Sequence, residues 1–144
     1  MRRMLILASL LAMSTGAGAD TLAAARAQRY AADAEAFAQA SARLPPAIQA
    51  LCEAPEANGA AALGRAREHW LATLASWERF SAVAIGPLLT RRSQRQIDFR
   101  PTRPRLIEKA VRTAPADAVA LERIGSPAKG LPALEWLLWV KPAR

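Results

Sequence analysis

The sequence predicts an all-α protein, and three observations carry that prediction. Apolar residues, alanine above all, return at steps of three and four along most of the chain. No stretch alternates apolar with polar residues as a half-buried strand would. Proline and glycine pairs cut the sequence into pieces of helical length. An antiparallel helical bundle is the economical way to bury such faces.

The first helix starts at about Thr21, a good cap, and carries Ala25, Tyr30, Ala34 and Phe37. Pro45-Pro46 is expected to stop it, because each proline removes an N–H and its ring crowds the preceding turn. The same prolines suit the first turn of a short second helix, 47–53, closed by Pro55 and an Asn58-Gly59 turn. The third helix, about 60–84, has the clearest period: Leu63, Arg67, Trp70, Leu74, Trp77 and Ser81 recur before Gly86-Pro87 ends it. Residues 88–104 hold two prolines and no sustained period, so they read as a long ordered connection. Two shorter helices are expected near 105–113 and 116–124, ahead of Gly125-Ser126-Pro127. The last helix runs from about Leu131 to Val140. It is apolar nearly all round, so it expects cover on several sides, from the other helices or from a segment beyond residue 144.

The front of the chain, MRRMLILASLLAMSTGAGAD, has the parts of a cleaved export signal over residues 1–19. Arg2 and Arg3 precede an apolar run from Met4 to Met13, and Ala17-Gly18-Ala19 is a small-x-small cleavage site. The apolar run is well short of the roughly 20 residues that span a bilayer, which argues against an anchor. No cysteine stands at the cleavage point, so a lipid-modified signal is not supported. The expectation is a periplasmic protein whose mature chain, 20–144, forms one domain.

Cys52 is the single cysteine. It falls at helical spacing with Ile48 and Leu51, and is expected to be buried and inert. One Cys and one His cannot build a zinc site of the usual three or four nitrogen and sulfur ligands. Of the 20 basic residues, Arg2 and Arg3 leave with the leader, and the remaining 18 against 12 acids give the mature chain a net charge of +6. The excess is concentrated in Arg91, Arg92, Arg95, Arg100, Arg103, Arg105, Lys109 and Arg112, opposed by Asp98 and Glu108 alone. Nucleic acid is not the expected partner, since only Phe99 is interleaved for stacking. An envelope protein or an anionic membrane surface, met through Arg91–Arg112, is the better reading beside a plain solvated face.

Catalytic motifs are missing. His69 stands beside Glu68 and Trp70, but adjacent helical residues point in different directions, so it reads as a surface or boundary histidine. There is no HExxH. Ser76, Ser81, Ser93 and Ser126 lack a G-x-S-x-G setting, and no glycine-rich phosphate loop occurs.

Several short motifs in order carry a resemblance: Trp70, then Trp77-Glu78-Arg79-Phe80, Gly86-Pro87-Leu88, Ile97-Asp98-Phe99 with Pro101, and Lys129-Gly130-Leu131-Pro132-Ala133-Leu134-Glu135-Trp136. Together they resemble the imelysin-like family of bacterial periplasmic proteins and predicted lipoproteins, over most of the mature chain and about the first half of a family member. The resemblance implies the first bundle of a two-bundle helical fold, a place in the cell envelope, and a link to iron uptake or iron regulation. Founding members were described as peptidases. The family's Gly-x-His-x-x-Glu signature falls on Gly130 and Glu135, with Pro132 where the histidine would stand. It makes Glu78, Asp98, Gly130 and Glu135 the candidate ligand-binding residues, and Glu135 the best candidate for a metal, iron or another divalent ion. Proline supplies neither a ligand nor a backbone donor, so a metal site here loses its nitrogen ligand.

Glu135 lies among Leu131, Leu134, Trp136 and Leu138. A first-turn acid is favoured by the helix dipole, but one buried without a partner would cost several kcal/mol. A basic residue from 91–112 is its expected partner, in a structural ion pair or a ligand-facing group. The functional expectation is an exported, non-enzymatic ligand-binding or accessory protein linked to iron uptake. A peptidase-like hydrolase and an inactive truncated fragment are the alternatives.

Overall fold

The computed structural model of the protein describes residues 16–113 and 117–140. The predicted leader lies outside the described residues as far as residue 15; residues 16–19 form the first turn of the first helix. The described residues are helical with no strand. In order they form α1 (Gly16–Glu53), a 3-10 turn at Glu56–Asn58, α2 (Gly59–Ser81), α3 (Pro87–Thr90), α4 (Ser93–Ile97), α5 (Pro104–Thr113), α6 (Ala118–Glu122), a second 3-10 turn at Ser126–Ala128, and α7 (Gly130–Trp139). No helix among the described residues is long and apolar enough to cross a membrane.

Helices α1 and α2 form an antiparallel hairpin. The seam of α2 is Ala62, Ala66, Trp70, Thr73 and Trp77, all buried and spaced by three or four. Alanine at the first two positions lets neighbouring helices come close. Further along, Trp77 packs on Phe37 with ring centroids 5.1 Å apart, and Phe80 meets Tyr30 at the same distance. Thr73 tightens the pair: its hydroxyl lies 2.8 Å from the His69 carbonyl and 3.2 Å from the Ala40 carbonyl across the seam.

Pro45 and Pro46 do not end the first helix, contrary to the sequence expectation. Helix α1 continues through them to Glu53, so the separate second helix is its last part. The reason is tertiary. Phe37, Leu44, Ile48 and Leu51 make one stripe that crosses the prolines and stays packed on the same core, which offsets the lost backbone bonds. Cys52 is a second correction, since it is exposed. Leu44 and Leu51 lie to one side of Ile48 around the helix and Cys52 to the other, just past the edge of the buried stripe.

The connection 88–104 contains two short helices that no periodicity announced. Gly86, at φ +53°, turns the chain into α3, where Pro87 at the first position brings a helical φ of its own. Arg92, a non-glycine residue at φ +52°, opens α4. These helices are anchored by Leu88, which is buried, and by Ile97, packed against the same core. Helix α6 is shorter than expected and begins after Asp117, whose carboxylate accepts a hydrogen bond from the Ala120 N–H at 2.7 Å.

Helix α7 covers α2. Leu131, Pro132, Ala133 and Leu138 are buried, while Leu137, Trp139 and Val140 stay exposed. Two side chains of α2 hold it: Trp70 Nε1 donates to the Leu131 carbonyl at 3.0 Å, and Arg67 donates to the Leu138 carbonyl through Nε and Nη2, at 3.0 and 2.7 Å. Arg67 also stands over the Trp139 ring, 5.3 Å from its centroid.

Trp77, 1% exposed, fills the centre of the core. Trp77→Ala is expected to lower stability by about 3–5 kcal/mol. Leu71→Ala, on the open face of the same helix at 53% exposure, should change it by no more than about 0.5 kcal/mol. Urea denaturation followed by circular dichroism compares the two.

Candidate functional site

Three of the four candidate residues meet where the end of α4 approaches the start of α7. Gly130 makes the approach feasible. It sits at φ +75°, a conformation L side chains rarely adopt, and a Cβ there would overlap the Ile97 carbonyl oxygen and stand 2.8 Å from that of Gln96. The glycine of the signature is thus required by the backbone at this junction.

Asp98 follows α4 directly, and Glu135 is on the second turn of α7. Arg100 joins them: its Nε donates to Asp98 Oδ1 at 3.0 Å and its Nη1 to Glu135 Oε2 at 2.9 Å. Glu135 therefore has the basic partner that its setting called for, from the segment expected to supply it. The group is less buried than the sequence suggested, with side-chain exposures of 45% for Arg100, 39% for Glu135 and 22% for Asp98. Glu135 looks out of the boundary of the core because α7 spends Leu131 and Leu138 on α2, leaving the acid at the side.

Partial burial works against the charge of Arg100. The hydrogen bond to Glu135 and the fields of Asp98 and Glu135 outweigh it, so the arginine pKa is raised above its ordinary value. A raised folded pKa means that the stabilisation is complete below the unfolded value and is lost only as pH rises through the folded one. For an arginine that window is strongly alkaline, so its side of the pair does not titrate across the neutral range.

Glu78 is apart from this group. It is exposed near the end of α2, and no hydrogen bond or ion pair among the described residues joins it to Asp98 or Glu135. Pro132 is buried beneath the junction, in the position of the signature's histidine. The divalent metal implied by the resemblance does not fit these residues. Only two carboxylates converge, a guanidinium already stands between them, and no three of His, Cys, Asp or Glu come together among the described residues.

Nothing in the spacing of the basic segment distinguishes Arg100 from the other basic residues there. The one local hint is its place two residues after Asp98, inside the Ile97-to-Pro101 motif. Arg67 and Trp70, which hold α7, stood in the helical period with nothing to mark their polar atoms for a carbonyl some 60 to 70 residues away, separations of 71 and 61 positions.

Gly130→Ala is expected to destabilise by about 2 kcal/mol or more, combining a left-handed φ with the carbonyl contacts, seen as a lowered urea midpoint. Arg100→Gln and Glu135→Gln should each cost about 0.5–1 kcal/mol at low salt, an effect that fades towards zero in about 1 M NaCl as the exposed pair is screened. Equal losses at both salt concentrations would show that the pair does not act through charge.

No curated protein and no solved structure matches the chain. The family model described as Imelysin matches residues 21–143.

Proposed function

From the premise that the chain belongs to the imelysin family, we propose that it is an exported component of the bacterial envelope that serves iron uptake by binding rather than by catalysis. The observation that carries this reading is the Asp98–Arg100–Glu135 group. Glu135, the acid of the signature, and Asp98 are held by a cation of the chain itself, with proline in place of the histidine. They are arranged to order the α4–α7 junction, and a hydrolase would need them to activate water or a nucleophile.

The same group has capacity left for a ligand. Asp98 Oδ2 and Glu135 Oε1 accept no hydrogen bond among the described residues, and all three side chains are reached by solvent. A polar ligand could therefore bind on the open side without breaking the ion pairs. Gly130 would act by holding the junction closed, and Glu78 would be a separate contact on α2. The segment from Arg91 to Arg112 would meet an acidic envelope partner or an anionic membrane surface. Its Arg91, Arg92, Arg95, Arg103, Arg105 and Arg112 are exposed and form no ion pair among the described residues.

Deletion of the gene in its own bacterium is expected to slow growth when iron is chelated and to have little effect when iron is plentiful. The protein should fractionate with the periplasm, its mature N-terminus at Asp20 by mass spectrometry. The purified chain should release no product from generic peptide substrates, with or without added zinc or iron. Metal-dependent turnover abolished by Glu135→Gln would replace the binding role with a hydrolytic one.

A further inference from the structure

We propose that the cleft between α1 and α2 is a binding site for a small organic anion, a carboxylate or phosphate group carried on a short apolar body. The cleft has a volume of about 330 Å³, the lower end of the range typical of small-molecule sites. Its apolar part comes from α1: Ala42, Pro46, Ala47 and Ala50. These short side chains leave room that longer ones would fill. Its polar part is entirely basic or neutral: Arg43 from α1, with Arg65 and His69 from α2.

The charge pattern points to the ligand. Arg65 and His69 are four residues apart, so they share one face of α2, and Arg43 reaches the same space from the opposite helix. No carboxylate lines the cleft, and neither Arg43 nor Arg65 forms an ion pair among the described residues. Two guanidinium groups gathered around one concavity repel each other, and an anion placed between them removes that repulsion. A guanidinium presents paired N–H donors that match the two oxygens of a carboxylate or phosphate, and the imidazole adds a third donor. The alanine and proline surface then accommodates the hydrocarbon part. The site is separate in sequence and in contacts from the Asp98–Arg100–Glu135 group, and it gives a place to the histidine that no catalytic motif absorbed.

The test uses the full chain and three probes: hexanoate, inorganic phosphate, and vesicles of phosphatidylglycerol. Two-dimensional NMR of the arginine Nε–H groups and the His69 ring is expected to show saturable shifts with hexanoate, and weaker ones with phosphate, which lacks the apolar body. The variant R43Q/R65Q should raise the dissociation constant at least about tenfold, while its circular dichroism melt stays that of the parent, because both arginines are exposed. The variant R26Q/R123Q, which removes the same charge at two exposed positions outside both the cleft and the 91–112 segment, should bind as the parent does. Binding to vesicles alone, lost in R43Q/R65Q, would assign the anion to a lipid headgroup. The proposal is overturned if no probe gives saturable shifts at these residues up to about 10 mM, or if R43Q/R65Q and R26Q/R123Q weaken binding equally.

Discussion

The fastening of α7 to α2 is the constraint on which the rest of the structure depends. A helix of ten residues has too few internal bonds to persist in water by itself. Its carbonyls at Leu131 and Leu138 are both taken by side chains of α2, the second by a charged donor at the end where the helix dipole is negative. That fixes its position and its rotation together. Leu131 and Leu138 are then driven into the core, Glu135 comes to the side, and Gly130 is presented to α4.

From there the contacts propagate back along the chain. Glycine admits the Gln96 and Ile97 carbonyls, which brings Asp98 and Arg100 within reach of Glu135. The ion pairs contribute little by themselves, since exposed pairs are worth about 0–1 kcal/mol. Their effect is selective. They favour the one arrangement of 98–100 that satisfies both acids, in a segment with few apolar side chains to decide the matter.

Much of this was legible in the sequence where local and global preferences agree. The seam of α2, with Trp70 and Trp77, follows from spacing alone, and the all-α class and the places of α5 and α7 follow from spacing together with the proline and glycine breaks. The prolines at 45 and 46 were misread because the local rule was overruled by packing: the stripe from Phe37 to Leu51 continues across them. Cys52 was placed inside by a spacing that could not tell the edge of a stripe from its middle. Helices α3 and α4 are shorter than any period can reveal. At the junction, the need of Glu135 for a basic partner could be foreseen from its apolar neighbours, but the choice of Arg100 depends on a three-dimensional approach. The reason for Gly130 lies in carbonyls more than thirty positions away, at 96 and 97.

Arg100 also bears on how the junction responds to its surroundings. A positive charge that arrives from solution fills its place according to its free concentration, by mass action. One tethered two residues from Asp98 is present at a fixed, high effective concentration whatever the medium contains. Asp98 and Glu135 therefore keep a cation beside them whichever ions the medium supplies, and added salt acts on the junction only by screening that pair.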